Sequence, residues 1–356
     1  MTADQLGDFG TASTTYQVVL APRDGDSITI TCPADSTVLD AAAEAEYRLP
    51  SLCGQGTCGA CRARVVEGSI EIGAHSAEAL SDSEAAAGEV LLCRTFPRGD
   101  LTIELPYDRS RILSEAIPVR GVEIAALDEV AHNTVRLELA LLPHPTLGTG
   151  AEFEPGQFIQ IEIPGEEVRR AYSLANVPNW DGELELFIRK VPGGHFSTYL
   201  DQRAKVGDRL FVHGPQGAFG LRDHGLRPRI FVGGGTGVAP LLSMLRRMAE
   251  FGELHESRLY LGFNNEDDMF GAEAIAELSE RLAHFTAQVS LWRPEPSWNH
   301  PGETPVDALR RDLPDLATTP DVYCCGPPPL IEGVAKLAAE FGIPDSQVFA
   351  EKFLPN

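Results

Sequence analysis

Basic residues are scarce in this chain. Against 52 Asp and Glu stand only 29 Lys and Arg, a formal net charge of −23 over 356 residues. Nucleic acid and anionic membranes are bound by clustered positive charge, so this deficit argues against both as partners. It suits docking onto a basic protein surface, where complementary charge speeds encounter. Solubility alone is the plainer reading of the same charge. Long apolar runs are also missing. None approaches the roughly 20 residues of a membrane helix. The opening MTADQLGDFGTASTTYQ lacks both the basic region and the apolar core of a signal peptide, and residues 1–14 read as a flexible tail. The expectation is a cytoplasmic protein. Cysteine is sparse, with seven in all, and in a reducing compartment a disulfide framework is not expected. Internal repeats and low-complexity tracts are absent.

What is present divides into three segments, as a chain too long for one ordinary core requires. Over 15–109, TYQVVL and SITITC predict paired strands. Thr37 and Asp40 then start a helix, VLDAAAEAEYRL, that runs on to Pro50. CRARVVEG, EVLLC and LTIEL add strands, giving a small α+β domain, a sheet with one main helix against it. Residues 110–118 read as a linker. Over 119–225, five short strands with little helix (VRGVEIAAL, TVRLELAL, QFIQIEIP, ELELFIRKV, DRLFVHG) predict an antiparallel β-barrel. Over 226–356, strands alternate with helices, which predicts an α/β domain with a parallel sheet of nucleotide-binding type.

The stretch CGQGTCGAC supplies Cys53, Cys58 and Cys61 in a C-x4-C-x2-C pattern, with Cys93 lying 32 positions beyond. That is plant-type spacing for a [2Fe–2S] cluster. Gly54, Gly56 and Gly59 would let the backbone turn its N–H groups toward the sulfur. A zinc ion on four cysteines is the competing reading, but such sites usually use two C-x2-C knuckles. Cys32, on a strand, reads as a core residue. In the last segment VGGGTGVAP (232–240) lies between strand and helix, where N–H groups and a helix dipole favour a phosphate. It does not have the G-x-G-x-x-G spacing.

Several motifs in order carry a family resemblance. RAYSLAN (170–176), GGHFSTYL (193–200), GGGTGVAP and YCCGPPPL (323–330) resemble the segments of the ferredoxin–NADP reductase superfamily. EVLLCRTFPRGDLTIELPYDRSRI (89–112), EPGQF and the terminal EKFLPN narrow the likeness to reductases of soluble methane, alkane and alkene diiron monooxygenases. The resemblance implies a β-grasp ferredoxin fold for the α+β domain, and FAD held by Arg170, Ala171, Tyr172 and Ser173, by Ile188, Arg189 and Val191, and by Gly193, Gly194, Phe196 and Ser197. Arg170 would pair with the pyrophosphate, which its planar fork fits. Tyr172 would stack on the flavin and Ser173 would bond its N5. NADH would meet Gly235, Thr236, Gly237, Cys325, Gly326 and Pro327, with Phe353 covering the flavin face. Ser173, Thr236, Cys325 and Phe353 are the implied catalytic set.

The activity so implied takes a hydride from NADH onto FAD and passes single electrons, through the cluster, to the hydroxylase of a diiron hydrocarbon monooxygenase. A reductase for a Rieske-type aromatic-ring dioxygenase, and a redox-sensing flavoprotein without turnover, are the alternatives. LGFNNEDDMF (261–270) is acidic at Glu266, Asp267 and Asp268 and has no Lys or Arg for a 2′-phosphate, which favours NADH over NADPH.

Overall fold

Residues 14–114, 116–166, 168–298 and 302–353 are described by the structure, a computed structural model. The expected tail, except its last residue, and the last three residues of EKFLPN lie outside them. The chain forms two compact units that divide between Ala116 and Ile117.

In the first unit β1 (Thr15–Ala21) pairs antiparallel with β2 (Ile28–Pro33). After them come α1 (Val38–Glu44), β3 (Arg62–Glu67), β4 (Ile70–Ile72), α2 (Asp82–Ala86), β5 (Glu89–Leu91), β6 (Thr95–Pro97) and β7 (Leu101–Glu104). The main sheet has the order β2-β1-β7-β3-β5, with β1 and β7 parallel. Alternation along the strands sends Val18, Leu20, Ile30, Ala63, Leu101 and Ile103 inward, where Val38, Ala41 and Ala42 of α1 cover them. Burying each of the larger of these side chains contributes about 1.5–3 kcal/mol. Thr37 caps α1 as its sequence predicts, its Oγ1 accepting from the Asp40 N–H at 3.1 Å. The predicted continuation to Pro50 does not occur. Glu46 turns to a φ of 65°, the Tyr47 N–H returns to the Ala42 carbonyl at 2.8 Å, and Arg48 exchanges backbone hydrogen bonds with Leu113.

The second unit begins with β8 (Val119–Ala131), β9 (Thr134–Leu141), β10 (Phe158–Glu162), β11 (Arg169–Ser173), β12 (Glu183–Arg189), α3 (His195–Gln202) and β13 (Arg209–Gln216). Their antiparallel sheet runs β11-β10-β13-β8-β9-β12, and a bridge from Leu174 to Leu186 brings its ends together. Ile124, Leu137, Leu139, Ile161, Leu186 and Val212 fill the interior. Two elements go beyond the five strands read from sequence. RRAYS forms β11, and GGHFSTYL opens α3.

The unit continues with β14 (Arg229–Gly234), α4 (Val238–Glu250), β15 (Ser257–Phe263), α5 (Ala272–Arg281), β16 (Phe285–Leu291), α6 (Pro305–Asp312), β17 (Asp321–Gly326), α7 (Pro328–Glu340) and β18 (Val348–Lys352). The five strands are all parallel, in the order β16-β15-β14-β17-β18. Strand order reverses between β14 and β17. In open α/β sheets ligands settle in the crevice at the carboxyl ends of such a pair. Among the described residues no helix is long and apolar enough to cross a membrane.

Candidate functional site

The cysteine loop lies between α1 and β3. Its three glycines all take positive φ, 65° at Gly54, 77° at Gly56 and 75° at Gly59, which L side chains rarely adopt. A Cβ on Gly56 would also stand 2.7 Å from Arg94 Cγ. The turn so formed aims the Gln55 and Thr57 N–H groups at the Cys53 sulfur, at 3.3 and 3.4 Å. Cys93 arrives on the 3-10 turn Leu92–Arg94, which the Leu92 N–H ties to the Cys61 carbonyl at 3.0 Å. Cys58, Cys61 and Cys93 are buried, while Cys53 is half-buried.

The thiols meet as two pairs. Cys58 donates to Cys53, which lowers Cys53 to about 4 and pushes Cys58 up. Cys61 and Cys93 stand in the same relation, Cys93 lowered and Cys61 raised by the hydrogen bond between them. Among the described residues no group of three or more His, Cys, Asp or Glu is gathered as for one metal ion. Two thiol pairs beside inward N–H donors suit a two-iron cluster, each iron taking two thiolates, better than a zinc quartet. Cys32 packs instead against its own backbone, 3.6 Å from the Pro33 and Ser36 carbonyls.

The second constellation forms at the strand-order reversal. The turn after β14 holds Gly235 at a φ of 54°, Thr236 half-buried and Gly237 buried. Gly237 touches the end of β17 so closely that a Cβ there would lie 2.2 Å from the Cys325 carbonyl oxygen. Gly326 has a φ of 154°, and its carbonyl accepts from the Phe353 N–H at 2.8 Å. Phe353 is half-buried against the apolar core beneath. Cys325 is fully buried, and burial first, then the Glu351 charge, pushes its thiol well above the usual range. Pro327 precedes α7 and packs near Gly234.

From the barrel, β11 presents Arg170, Ala171 and Tyr172 half-buried and Ser173 buried. The Arg170 guanidinium donates to the neighbouring Arg169 carbonyl at 2.9 Å. Tyr172 packs on Phe196 with ring centroids 5.4 Å apart. Gly193, at a φ of 71°, turns the chain into α3, and the Val191 N–H donates to Ser197 Oγ at 2.9 Å. That leaves the Ser197 hydroxyl hydrogen for an acceptor such as phosphate. Arg189 and Val191 are exposed, whereas the Ile188 side chain is wholly inside the barrel core and offers a ligand only its backbone.

Two features escaped the sequence reading. Ser173 Oγ donates to Glu351 Oε2 at 3.3 Å, joining the flavin-type motif to β18 opposite Cys325. Burial pushes the Glu351 carboxyl up to about 7, against the Ser173 bond. Arg246 and Ser243 of α4 hold the strand end after β11. Ser243 Oγ donates to the Asn176 carbonyl at 2.6 Å, and Arg246 donates to the Ala175 carbonyl at 2.8 Å and to Glu185. In the acidic loop Glu266 accepts the Glu295 N–H at 2.9 Å and Asp268 accepts from Asn264 at 3.0 Å. The Arg293 N–H reaches the Asn264 carbonyl at 2.7 Å, while its guanidinium lies over the Trp292 ring.

A 2Fe-2S iron-sulfur cluster binding domain matches residues 22–98, an oxidoreductase FAD-binding domain 122–220 and an oxidoreductase NAD-binding domain 231–336. The chain is 36% identical over 90% of its length to the propane 2-monooxygenase reductase component of Rhodococcus jostii, covering 87% of that protein. To methane monooxygenase component C of Methylosinus trichosporium it is 38% identical over 84% of its length, covering 87% of that protein. The toluate 1,2-dioxygenase electron transfer component of Pseudomonas putida is 31% identical over 95% of this chain and 98% of its own. A solved cytochrome P450 reductase from Amycolatopsis superposes with a TM-score of 0.70 at 29% identity, over 95% of this chain and 99% of that one. The chain therefore belongs to the ferredoxin–NADP reductase family with a 2Fe–2S ferredoxin domain at its N-terminal side, among the monooxygenase reductase components, and is an oxidoreductase that works with NADH, FAD and a [2Fe–2S] cluster.

Proposed function

We propose that this reductase delivers its electrons to the hydroxylase of a diiron monooxygenase acting on small hydrocarbons. The observation that carries the reading is the pairing, in one chain, of a two-thiol-pair cysteine loop with the Ser173–Glu351 and Phe353–Gly326 contacts, in a sequence similar to propane and methane monooxygenase reductases. FAD supplies the chemistry that accepts a hydride and releases electrons singly, and the cluster carries one at a time. Arg170 and the start of α3, with Gly193, Gly194 and Ser197, hold the flavin pyrophosphate. Tyr172 and Phe353 would bound the ring, with Ala171, Arg189, Val191 and Phe196 beside it and Ile188 contributing only its backbone. Ser173 stands at the hydride-accepting edge, its hydroxyl oriented by Glu351. Gly235, Thr236 and Gly237, with Cys325, Gly326 and Pro327, seat the nicotinamide, and the buried neutral Cys325 keeps water away from the transfer. Cys53, Cys58, Cys61 and Cys93 hold the cluster. Functional boundaries at 15–109, 119–225 and 226–356, with 110–118 as the joint, assign one centre to each part, and the cytoplasm is the compartment that supplies NADH.

The likeness to aromatic-ring dioxygenase electron transfer components favours a Rieske oxygenase as the second reading. Offering the NADH-reduced protein in turn to a diiron hydroxylase and to a Rieske oxygenase tests the choice. Hydrocarbon oxidation coupled to NADH consumption with the first supports the assignment. Coupling to the second alone refutes it.

A further inference from the structure

Tyr107 is among the most deeply buried side chains of the first unit, with 1% of its surface exposed. Its hydroxyl is buried with no hydrogen-bond partner among the described residues. Leaving such a group unpaired costs about 1–3 kcal/mol, so a buried phenol in this state calls for an acceptor. The fold indicates which one. β3 and β7 run antiparallel with Arg64 opposite Glu104 and Val65 opposite Ile103. Continuing that register from 64 back to 61 and from 104 on to 107 sets Tyr107 level with Cys61. The extension is held in place on its other side. The Leu105 N–H donates to the Ala21 carbonyl at 2.8 Å and the Arg23 N–H to the Tyr107 carbonyl at 3.1 Å. Facing also agrees. Leu101, Ile103, Leu105 and Tyr107 are the buried alternates of one strand line, and Cys61 and Ala63 those of the other. A phenol keeps its proton at neutral pH, so Tyr107 remains a donor.

We propose that the Tyr107 hydroxyl donates a hydrogen bond to the iron–sulfur group at its Cys61 side and thereby makes that group easier to reduce. The inference rests on the reading of the cysteine loop as a cluster site. Adding an electron adds negative charge to the sulfur atoms, and a donor aimed at them favours the reduced form.

Replacing Tyr107 by Phe keeps the ring and removes only the hydroxyl. The experiment compares parent and Tyr107→Phe as reconstituted full-length proteins. Iron content and visible spectrum should match, while the reduction equilibrium of the cluster should move about tenfold toward the oxidised form, equivalent to about 59 mV for one electron. In the parent, exchange into D2O should remove a strong proton coupling from the spectrum of the reduced cluster, and Tyr107→Phe should lack that coupling from the start. The parent measurement stands even where the variant folds poorly. Equal potentials, or a parent cluster with no exchangeable proton beyond those of backbone amides, overturn the proposal. A parent chain that assembles no iron–sulfur cluster overturns the cysteine-loop reading itself, and this inference with it.

Discussion

Cys58 is 9% exposed and meets Cys53 through its thiol, and in the proposed ligand set replacing it would leave the cluster short of a ligand. Cys58→Ser should lose the [2Fe–2S] signal and most of its iron while NADH still reduces the bound FAD. A full iron complement and an unchanged visible spectrum would show the ligand assignment to be wrong. Glu351 gives a second residue-scale expectation. Its folded pKa is raised from the usual carboxylate range to about 7. Below that pH the carboxyl is neutral. Above it, the carboxylate draws the Ser173 proton to itself and turns the hydroxyl away from the flavin edge. Flavin reduction by NADH should therefore slow by about threefold to tenfold as pH rises through 7, and Glu351→Gln should flatten that step. Stability follows the same sign. The raised group contributes fully below its unfolded value near 4.5, and the contribution is lost as pH climbs toward 7. A parent rate indifferent to pH between 6 and 8 would remove Glu351 from the account.

At the scale of elements, the contact between the turn after β14 and the end of β17 shapes the proposed nicotinamide seat. A Cβ at Gly237 would press on the Cys325 carbonyl at 2.2 Å, and both partners are backbone, so neither yields easily. Gly237→Ala should cost about 1–3 kcal/mol of stability and raise the KM for NADH by at least about tenfold. FAD content should be unchanged, because Arg170 and α3 lie on other elements. A normal KM would mean that the two turns do not share the ligand. The same elements show what the sequence makes legible. Gly-rich turns and cysteine spacings are local and carry their pattern in a few residues, so the cysteine loop and the turns after β14 and β17 can be read directly. α1 is misread because helical propensity continues past Glu44, whereas the Arg48–Leu113 pairing that stops it spans distant sequence. RRAYS shows no apolar alternation, its side chains being mostly half-buried, so β11 leaves no strand signature. Glu351 stands among ordinary residues of a short strand, and only the fold sets it against Ser173.

Over the whole molecule the excess of 52 acidic over 29 basic residues is the dominant surface property. The acidic stretch 67–89 lies between the cluster cysteines in sequence, but its members differ in role. Glu84 belongs to the scaffold. Although burial works against it, the Arg62 guanidinium at 2.7 Å and the Ser81 N–H and hydroxyl hold its carboxyl down at about 2. Glu78 and Asp82 are exposed, and on the proposed function they would steer the partner. Neutralising both, with Glu84 kept, should slow electron transfer to the hydroxylase by about threefold at low ionic strength, with the difference shrinking as salt screens it. Unchanged transfer would assign this charge to solubility alone. The central claim is that one chain converts the electron pair of NADH into single electrons at the cysteine loop. Anaerobic titration of the reconstituted protein with NADH tests it most directly, following flavin absorbance and the electron paramagnetic resonance of the reduced cluster together. The account predicts that NADH bleaches the flavin and produces the reduced-cluster signal in the parent, and bleaches the flavin alone in Cys58→Ser. A parent cluster that stays oxidised while the flavin is fully reduced would contradict it.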